Sequence, residues 1–473
     1  MTELLDQLRQ VVGPTHVLTG ADCARWDHDW TGAYSATPFA VVRPACTAEV
    51  SEVLRIAHAS STPVVPVSGN TGLAGGTYAK GAIMLSVDRM NAIREIRKDG
   101  RLAIVEAGVI LANLHSAAAE HDLIFPLTFG ARGSAMVGGF LSTNAGGSNV
   151  LRYGNTRDLC MGLEVVLADG RVMNLMSELH KDNSGLNLRH LMVGAEGTLG
   201  IITAAVLKLK PRPRAYATAM LAVPKLSDAV GLLNRIQDLT GGAVEAFEYM
   251  PRSYIEGHLR EIAGARPPFE KMYDVNIMIE IGATAPRDAD PLPDGSVPIV
   301  TLLEDTLARF LEDGTLEDAV IATNEAQRAE MWARREAAAE VVFARQPVVN
   351  NDICVPVDKV ARFLDDAIAR INAFDPGAEA LCVAHLGDGN VHYTVYPSTA
   401  DPALADRILE TVEDVVQDLS GSFSAEHGIG LGKLTSMQRR KDPVALNVMH
   451  SIKAALDPKG ILNPGKVFPP VDS

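Results

Sequence analysis

Two histidines, His385 and His392, flank an Asp-Gly pair in the sequence HLGDGNVH. An Asp-Gly pair favours the two-residue turn of a β-hairpin, because both central residues of that turn need a positive φ. With Asp388 and Gly389 as the turn, residue 385 pairs with residue 392, and opposed residues have Cβ atoms about 5 Å apart on one face. Two imidazoles at this distance can reach one metal ion. A lone histidine is more often structural, so the metal hypothesis depends on this pairing.

A catalytic zinc site with an open position needs a third protein ligand, and a carboxylate is a known companion of two histidines. Asp388 is one candidate for that ligand, although its turn position favours a structural role. Nitrogen and carboxylate ligands suit Zn²⁺. They also accept Mn²⁺, Fe²⁺ or Co²⁺, because the ligand types alone do not select the metal.

Three glycine-rich segments lie in the N-terminal half of the chain. They are SGNTGLAGG at 68–76, GARGSAMVGGFLSTNAGGS at 130–148 and VGAEGTLGIIT at 193–203. Glycines spaced as in the first segment let successive backbone N–H groups turn toward one point, which suits a pyrophosphate. The chain has neither a G-x-x-x-x-G-K-[ST] nucleotide loop nor a Rossmann fingerprint. One such segment alone is usually a tight turn, but three in one domain favour a large ligand close to the backbone.

The segments that must position these residues show two kinds of sequence pattern. From Pro44 to about Pro213, short β-rich runs alternate with helical ones, which indicates an α+β or α/β region. The prolines of KPRPRA predict a boundary near residue 214. Amphipathic helices and strands follow, and the glycine-rich style returns after about residue 420. We therefore expect a first domain at 1–214, a second at 215–420, and a segment at 421–473 that folds back onto the first.

The bulk properties exclude several function classes. A chain of 473 residues exceeds one ordinary hydrophobic core, so two or three domains are expected. A net charge of −15 and an aromatic content of 5% disfavour a nucleic-acid partner. The five cysteines are scattered, which indicates neither disulfides nor a thiolate zinc site. The N-terminus lacks a signal pattern, and no apolar run approaches the roughly 18 residues of a membrane span. We expect a cytoplasmic enzyme without a transmembrane segment.

Longer motifs resemble a known family, the FAD-linked 2-hydroxy-acid dehydrogenases of the vanillyl-alcohol oxidase type. The motifs run in family order over nearly the whole chain. They are PVSGNTGLAGG at 66–76, the segment from FPLTFG to VVLADG at 125–170, GAEGTLGIIT at 194–203, HLGDGNVH, SAEHGIG at 424–430 and LNPGK at 462–466. The resemblance implies an α+β fold, with a two-subdomain FAD-binding domain whose core spans about 36–213, an α+β substrate (cap) domain, and a C-terminal segment that returns to the flavin.

The resemblance assigns FAD contacts to the glycine-rich loops and to one residue of the tail. The residues are Pro66, Gly69, Asn70, Thr71, Gly72, Leu73, Gly76, Thr77, Pro126, Leu127, Gly130, Ser134, Gly138, Gly139, Thr143, Asn144, Gly146, Gly147, Glu196, Gly197, Ile201 and Asn463. Relatives with covalently attached flavin use a histidine near the position of Asn70. An asparagine at this position implies that FAD is bound non-covalently.

The resemblance also completes the metal site and supplies a base. It places Glu426 as the third ligand beside His385 and His392, with Zn²⁺ as the expected metal and Mn²⁺ as the alternative. Adjacent residues of an extended segment point to opposite sides, so we expect His427 to stay off the metal and to act as the base. Arg335 aligns with the family's carboxylate-binding arginine. From the sequence pattern alone, Arg334 and Arg335 indicate a solvated helix face.

The expected reaction is the oxidation of a D-2-hydroxy acid to the 2-oxo acid. The metal lowers the pKa of the bound hydroxyl, His427 removes its proton, and the hydride of C2 passes to flavin N5. In hydroxyglutarate-specific members a lysine and an asparagine hold the distal carboxylate, and Asn350 and Thr394 occupy these places here. Neither carries a charge, so D-lactate or a similar monocarboxylate has equal weight with D-2-hydroxyglutarate as the substrate.

Other readings stay open at the level of sequence. The chain could be a flavin-binding electron-transfer subunit of a glycolate-oxidase-type complex without its own catalysis, although such a carrier needs no metal, base or anchor. A zinc hydrolase without flavin is a further alternative. The sequence does not name the electron acceptor, for which a quinone, a cytochrome and an electron-transfer flavoprotein are the candidates, and direct reaction with oxygen is also compatible with the sequence. A homodimer is one assembly state left open.

Overall fold

A computed structural model describes residues 2–470 of the chain. The chain forms two compact units. The first contains the chain up to Gly146, Gly154–Pro211 and the segment from Glu426 onward, and the second contains Gly147–Tyr153 and Arg212–Ala425. The C-terminal segment therefore belongs to the same unit as the glycine-rich loops.

The helices are spread over both units. They are α1 (Thr2–Val12), α2 (Thr47–Ala59), α3 (Leu111–Ala119), α4 (Val137–Thr143), α5 (Val150–Tyr153), α6 (Thr156–Leu159), α7 (Leu188–Met192), α8 (Ala229–Thr240), α9 (Arg252–Glu261), α10 (Pro286–Ala289), α11 (Pro298–Glu312), α12 (Glu325–Glu336), α13 (Ala338–Phe343), α14 (Val360–Asn372), α15 (Pro402–Asp418), α16 (Leu434–Arg440) and α17 (Pro443–Leu456).

The first unit contains three sheets. Its strands are β1 (Val17–Leu18), β2 (Ala40–Val42), β3 (Val64–Val67), β4 (Ile83–Ser86), β5 (Ile93–Arg97), β6 (Leu102–Glu106), β7 (Leu123–Ile124), β8 (Cys160–Val166), β9 (Val172–Leu175), β10 (Ile201–Lys208) and β11 (Lys210–Pro211). A four-stranded sheet has the order β1-β2-β4-β3, with β2, β4 and β3 parallel. A five-stranded antiparallel sheet has the order β5-β6-β10-β8-β9, and β7 pairs with β11.

The second unit is built on one seven-stranded antiparallel sheet. Its strands are β12 (Ala215–Ala222), β13 (Val244–Pro251), β14 (Val275–Ala283), β15 (Asp318–Ile321), β16 (Val349–Cys354), β17 (Glu379–His385) and β18 (Asn390–Tyr396). They follow the order β15-β12-β14-β13-β17-β18-β16. Since successive side chains of a strand point to opposite faces, each strand contributes to two different surfaces of this sheet.

The two faces of this sheet differ in character. On one face, residues such as Phe247, Ile279 and Tyr393 join the apolar sides of α8, α11, α14 and α15 in the largest buried cluster. On the other face, Met250 and Met278 pack with residues of α9, α12 and α13. This second face is only partly apolar, and the polar side chains between its methionines form the candidate site.

The β17–β18 hairpin differs from the prediction. Its register pairs His385 with Asn390 and Val383 with His392, so the loop has four residues rather than two. The N–H groups of Asp388 and Gly389 both donate to the carbonyl of His385, at 3.1 Å each. The predicted two-residue turn is therefore wrong, because the longer turn satisfies this carbonyl twice.

Gly389 fixes the conformation of this loop and gives the first test. Its φ is +83°, and a β-carbon added there would lie 2.2 Å from the carbonyl oxygen of Val355. We expect Gly389→Ala to lower the free energy of unfolding by at least about 1–2 kcal/mol, the cost of a left-handed backbone for a residue with a β-carbon. Urea denaturation followed by circular dichroism measures it.

The matched control is Gly231→Ala. Gly231 lies inside α8, and a β-carbon there would have no atom within 4 Å. Alanine should raise stability at this position by up to about 1 kcal/mol, since it is the better helix former. Equal stability of the two variants would contradict the role of Gly389.

Candidate active site

A row of polar side chains crosses one face of the second unit's sheet. In sheet order its members are Thr218 on β12, Glu280 on β14, Glu248 on β13, His385 on β17, His392 on β18 and Asp352 on β16. All except His392 are less than 9% exposed. Charges removed from water to this degree must be paired or bind an ion, so the partners of each member determine what the row can do.

Glu248 is the most enclosed member of the row. Its carboxylate accepts a hydrogen bond from Nε of Arg335 at 2.8 Å, and its other oxygen lies 2.9 Å from Nδ1 of His385. Burial alone would raise the pKa of Glu248, but the charges and hydrogen bonds of His385 and Arg335 outweigh burial and hold this pKa below its ordinary value. Glu248 is therefore ionised, and it can only accept hydrogen bonds.

This geometry assigns a tautomer to His385. Because Glu248 can only accept, Nδ1 of His385 carries the proton and donates it. In the neutral form of the ring Nε2 carries the lone pair, and Nη2 of Arg335 lies 3.4 Å from Nε2. A histidine whose Nδ1 proton is held by a carboxylate has the usual arrangement of a metal ligand that binds through Nε2.

Helix α12 places two arginines, Arg328 and Arg335, against the sheet. They are seven residues apart and therefore lie on one side of the helix. Asn324 begins the helix by capping the N–H of Gln327 at 3.0 Å. Arg328 then binds both oxygens of Glu280, at 2.7 and 2.8 Å. Two turns later Arg335 binds Glu248. The solvated face expected from sequence alone is wrong for Arg335, which is 7% exposed, because these carboxylates face the helix.

Arg334 is also buried, against the sequence expectation of a solvated face. It is 4% exposed, and its Nη2 donates to the carbonyl of Arg266 at 3.1 Å. Burial lowers the pKa of this guanidinium. Its own carbonyl accepts the hydroxyl of Tyr254 at 2.6 Å. Arg334 therefore ties α12 to its neighbours in the second unit.

His385 and His392 share the same face although they are not directly opposed. The register places them diagonally across the hairpin, since Val383 is the direct partner of His392. Their ring centroids are 5.4 Å apart and the ring planes are inclined by 78°. A register shift of two residues leaves every side chain on its original face, so the two imidazoles meet even though the predicted pairing is wrong.

Asp352 is a site residue that the sequence analysis missed. It pairs directly with His392, and its Oδ1 lies 3.8 Å from Nδ1 of that histidine. Asn390 also donates to Oδ1, at 3.0 Å. The sequence carried a signal for this residue, because Asp352 follows Asn350 by two positions and so shares its face of β16. Asp352 and His392 are two members of a larger group of side chains that could hold a metal ion.

The last residue of the second unit is bound to Asp352. The N–H of Ala425 lies 3.2 Å from the carbonyl oxygen and 3.2 Å from Oδ2 of Asp352. Glu426 and His427 follow in the chain and belong to the first unit. Nε2 of His427 lies 3.9 Å from Oε1 of Glu426, so the expectation that they point to opposite sides is wrong. The segment bends here instead of forming a strand.

The two residues predicted to select the substrate are in contact. Thr394 on β18 pairs with Asn350 on β16, and its hydroxyl donates to Oδ1 of Asn350 at 3.1 Å. Thr394 is buried, whereas Asn350 is exposed at the edge of the sheet. The pair is neutral and lies two residues from His392 along β18. It offers hydrogen bonds to a ligand but no positive charge.

The glycine-rich loops of the first unit approach one another closely enough to require glycine. A β-carbon on Gly69 would lie 2.1 Å from the carbonyl oxygen of Ser134. Asn70 adopts a φ of +53° and accepts the hydroxyl of Thr77 at 2.8 Å, which closes the first loop. Backbone N–H groups exposed in such turns form the kind of cradle that a pyrophosphate requires.

The tail contributes Asn463 to the same region. Its amide nitrogen donates to the carbonyls of Gly76 and Glu196, at 3.1 and 2.7 Å. Its amide oxygen is buried and accepts no hydrogen bond from the described protein atoms. A buried acceptor of this kind is costly unless a ligand donates to it, and the hydroxyl groups of FAD are such donors. The residues present therefore fit this cofactor.

All five cysteines are free thiols. Within the described part of the chain, no helix has both the length and the apolar character needed to cross a membrane.

Comparisons with known proteins cover nearly the whole chain. The family model for the C-terminal domain of FAD linked oxidases matches residues 212–467, and the model for an FAD binding domain matches residues 38–176. D-2-hydroxyglutarate dehydrogenase of Xanthomonas citri pv. viticola is 34% identical, over 95% of this chain and 93% of the relative. The mitochondrial D-2-hydroxyglutarate dehydrogenase of Bos taurus is also 34% identical, over 93% of this chain and 79% of the relative.

Solved structures with low sequence identity share the fold. p-Cresol methylhydroxylase with substrate bound has a TM-score of 0.72 at 16% identity, covering 98% of this chain and 96% of that one. The 4-ethylphenol oxidase of Gulosibacter chungangensis has a TM-score of 0.71 at 20% identity, covering 99% and 97%. The predicted fold class, an α+β chain with a FAD-binding domain of the vanillyl-alcohol oxidase type, is confirmed.

The pairing of Glu248 with Arg335 gives the second test. Glu248→Gln keeps the shape of the side chain but leaves the buried Arg335 cation without its counter-charge. Breaking a buried ion pair costs about 3–5 kcal/mol, so we expect a loss of this size in the free energy of unfolding, measured by urea denaturation at pH 7.

The control is Glu256→Gln, which removes a carboxylate from the exposed pair of Arg252 and Glu256 on α9. Exposed pairs contribute little, so the stability of this variant should stay close to that of the unaltered protein. An equally stable Glu248→Gln variant would show that the row does not depend on the charge of Glu248.

Proposed function

Because the chain belongs to the FAD-linked oxidases, together with the D-2-hydroxyglutarate dehydrogenases that it resembles over almost its whole length, we propose that it oxidises a D-2-hydroxy acid to the 2-oxo acid. The observation that carries the proposal is the group of Glu248, Arg335, His385 and His392 on one sheet face, of which all but His392 are buried. A flavoprotein that only transferred electrons would have no need of it.

The reaction requires three functions from the protein. The hydroxyl proton must be removed, the hydroxyl oxygen must be stabilised as its charge develops, and the carboxylate must be held in place. When bound, FAD supplies the hydride acceptor at N5, and a divalent metal supplies Lewis acidity. The groups that bind, orient and move protons belong to the chain.

We assign proton removal to His427. An imidazole has a reference pKa near 6.5 and is suited to general-base work near neutrality. Nε2 of His427 lies 3.9 Å from Oε1 of Glu426, so the proposed base lies beside the proposed third ligand.

We assign metal binding to His385, His392 and Glu426, with Zn²⁺ as the metal and Mn²⁺ as the alternative. The tautomer of His385 supports this assignment, because Glu248 holds the Nδ1 proton and Nε2 is then the nitrogen that would bind the metal. Asp352 binds the N–H of Ala425, and Glu426 is the next residue. Asp352 is therefore a positioning residue for the third ligand, and it also lies beside His392.

Arg335 is assigned to the carboxylate of the substrate. Its Nε is committed to Glu248, which fixes the plane of the guanidinium. Its Nη2 lies 3.4 Å from Nε2 of His385, which is a long contact. Engagement of His385 by a metal would end this contact and would leave that N–H for the substrate. An arginine fork held in one plane can bind a carboxylate through two parallel hydrogen bonds.

We propose that Asn350 and Thr394 select which side chain the substrate carries. Relatives named D-2-hydroxyglutarate dehydrogenase favour a dicarboxylate. The neutral contact between Thr394 and Asn350 favours a monocarboxylate such as D-lactate. Electrons then pass to a quinone, a cytochrome or an electron-transfer flavoprotein, and we propose that the enzyme works in the cytoplasm.

The third test is anaerobic bleaching of the flavin absorbance by D- and L-2-hydroxy acids. D-acids should bleach the holoenzyme, whereas His427→Asn should keep its yellow colour and lose at least about a hundredfold in the rate constant of reduction, the usual contribution of a general base. His180→Asn is the control, because His180 is exposed in the 176–187 segment. Unchanged reduction in His427→Asn would remove this residue as the base.

The same measurement tests the metal. Treatment with a chelator should slow bleaching by D-acids, and addition of Zn²⁺ or Mn²⁺ should restore it, because Lewis acidity lowers the pKa of the substrate hydroxyl. A reduction rate that does not respond to chelation, in protein shown by elemental analysis to have lost its metal, would contradict the assignment.

The fourth test is a gain of specificity. Asn350→Lys adds a positive charge at an exposed edge position, beside the proposed place of the distal carboxylate. We expect kcat/KM for D-2-hydroxyglutarate to rise relative to that for D-lactate by about fivefold, equivalent to the roughly 1 kcal/mol of a partly exposed ion pair. Asn372→Lys is the control, since Asn372 ends α14, which packs against the opposite face of the sheet. An unchanged ratio in Asn350→Lys would place the distal group elsewhere.

A further inference from the structure

The first unit contains a carboxylate that binds the segment of the proposed base. Glu196 lies in the turn between α7 and β10, and its two oxygens accept the N–H groups of Ile429 and Gly430, at 2.7 and 2.8 Å. These are the second and third residues after His427. Backbone N–H groups that donate to a carboxylate form stronger hydrogen bonds than those that donate to a neutral acceptor.

Two glycines of this segment lie too close to neighbouring groups to carry a side chain. Gly428 has a φ of +75°, and a β-carbon there would lie 2.8 Å from Oε1 of Glu196. Gly430 has a φ of +49°, and a β-carbon there would lie 2.2 Å from the carbonyl oxygen of Ala74. Glycines contribute no side chain to packing, so the conformation just after His427 depends on hydrogen bonds to the backbone.

Glu196 is itself held firmly. Its N–H donates to the carbonyl of Ser142 at 2.9 Å, and its carbonyl accepts the amide of Asn463 at 2.7 Å. It adopts a φ of +50°, a left-handed conformation that is costly for a residue with a side chain. A strained glutamate is expected to persist where its side chain has a specific task. Burial raises the pKa of this carboxyl, and the two N–H donors oppose that rise.

We propose that Glu196 is a positioning residue for His427. The inference rests on the proposed role of His427 as the base, and it differs from the FAD contact that the family resemblance assigns to Glu196. In this role the carboxylate fixes Ile429 and Gly430, and through them the direction in which the His427 side chain leaves the backbone. A cofactor contact would affect FAD binding, whereas a positioning role affects the rate of proton removal.

The experiment compares Glu196→Gln with Glu196→Gly. Glutamine keeps one acceptor oxygen and sets an NH₂ group against the other N–H donor. Glycine removes both acceptors but adopts a positive φ without strain, so its fold should not suffer. Apoprotein is titrated with FAD, the thermal midpoint is recorded, and the rate constant of flavin reduction by a saturating D-2-hydroxy acid is measured anaerobically along with the half-saturating concentration.

We expect a graded loss in the reduction rate constant alone. Loss of one hydrogen bond to a charged group corresponds to about tenfold, so Glu196→Gln should fall about tenfold and Glu196→Gly about a hundredfold. The FAD dissociation constant and the half-saturating substrate concentration should stay within about twofold, since each lost bond belongs to the His427 segment. The control is Glu49→Gln, because Glu49 also accepts a backbone N–H, that of Ala45, at 2.7 Å.

Three outcomes decide the proposal. Weaker FAD binding with a normal reduction rate at saturating FAD would make Glu196 a cofactor ligand and overturn the inference. Normal rates in both Glu196 variants would also overturn it. If His427→Asn reduces its flavin at the normal rate, the proposed function of His427 fails instead, and a loss that is seen only in the Glu196 variants cannot then be ascribed to positioning of the base.

Discussion

A carboxylate without contact to water stays ionised only where cations and hydrogen-bond donors surround it. Glu248 meets this condition through Arg335 and His385, and both depend on it in return. Without the carboxylate, Arg335 would be an unpaired buried cation and the proton of His385 could occupy either ring nitrogen. The charge of one residue on β13 thus determines the state of a helix residue and of a hairpin residue.

The antiparallel sheet explains how residues far apart in sequence reach this carboxylate. Glu248 and His385 are direct partners on neighbouring strands, as are His392 and Asp352. Alternation along each strand separates them from the apolar cluster on the opposite face. The sheet therefore builds a polar surface and an apolar core from the same seven strands, and α12 covers the polar side with arginines spaced by two turns.

In the first unit, residues that are distant in sequence are brought together mainly by hydrogen bonds of backbone groups. Glycines allow the loops to approach one another, and side chains with several acceptors or donors connect them. Asn463 joins the tail to the first glycine loop and to the turn of Glu196, and Glu196 joins that turn to the segment after His427. Four stretches that are distant in sequence are thereby held by two side chains.

The sequence by itself determined the family, the fold class and the residue types of the site, because long glycine-rich motifs and the pair of histidines are local patterns. It also placed His385 and His392 on one face, since a register error of two residues does not alter the face. Only the tertiary structure decided which side chains these residues contact. The contacts of Glu248 and Asp352 depend on the order of the strands, and the burial of Arg335 depends on the docking of α12. No local sequence pattern specifies either of these. Tertiary structure likewise decided the contacts of Ile429 and Gly430 with Glu196, which lies more than two hundred residues away in the chain.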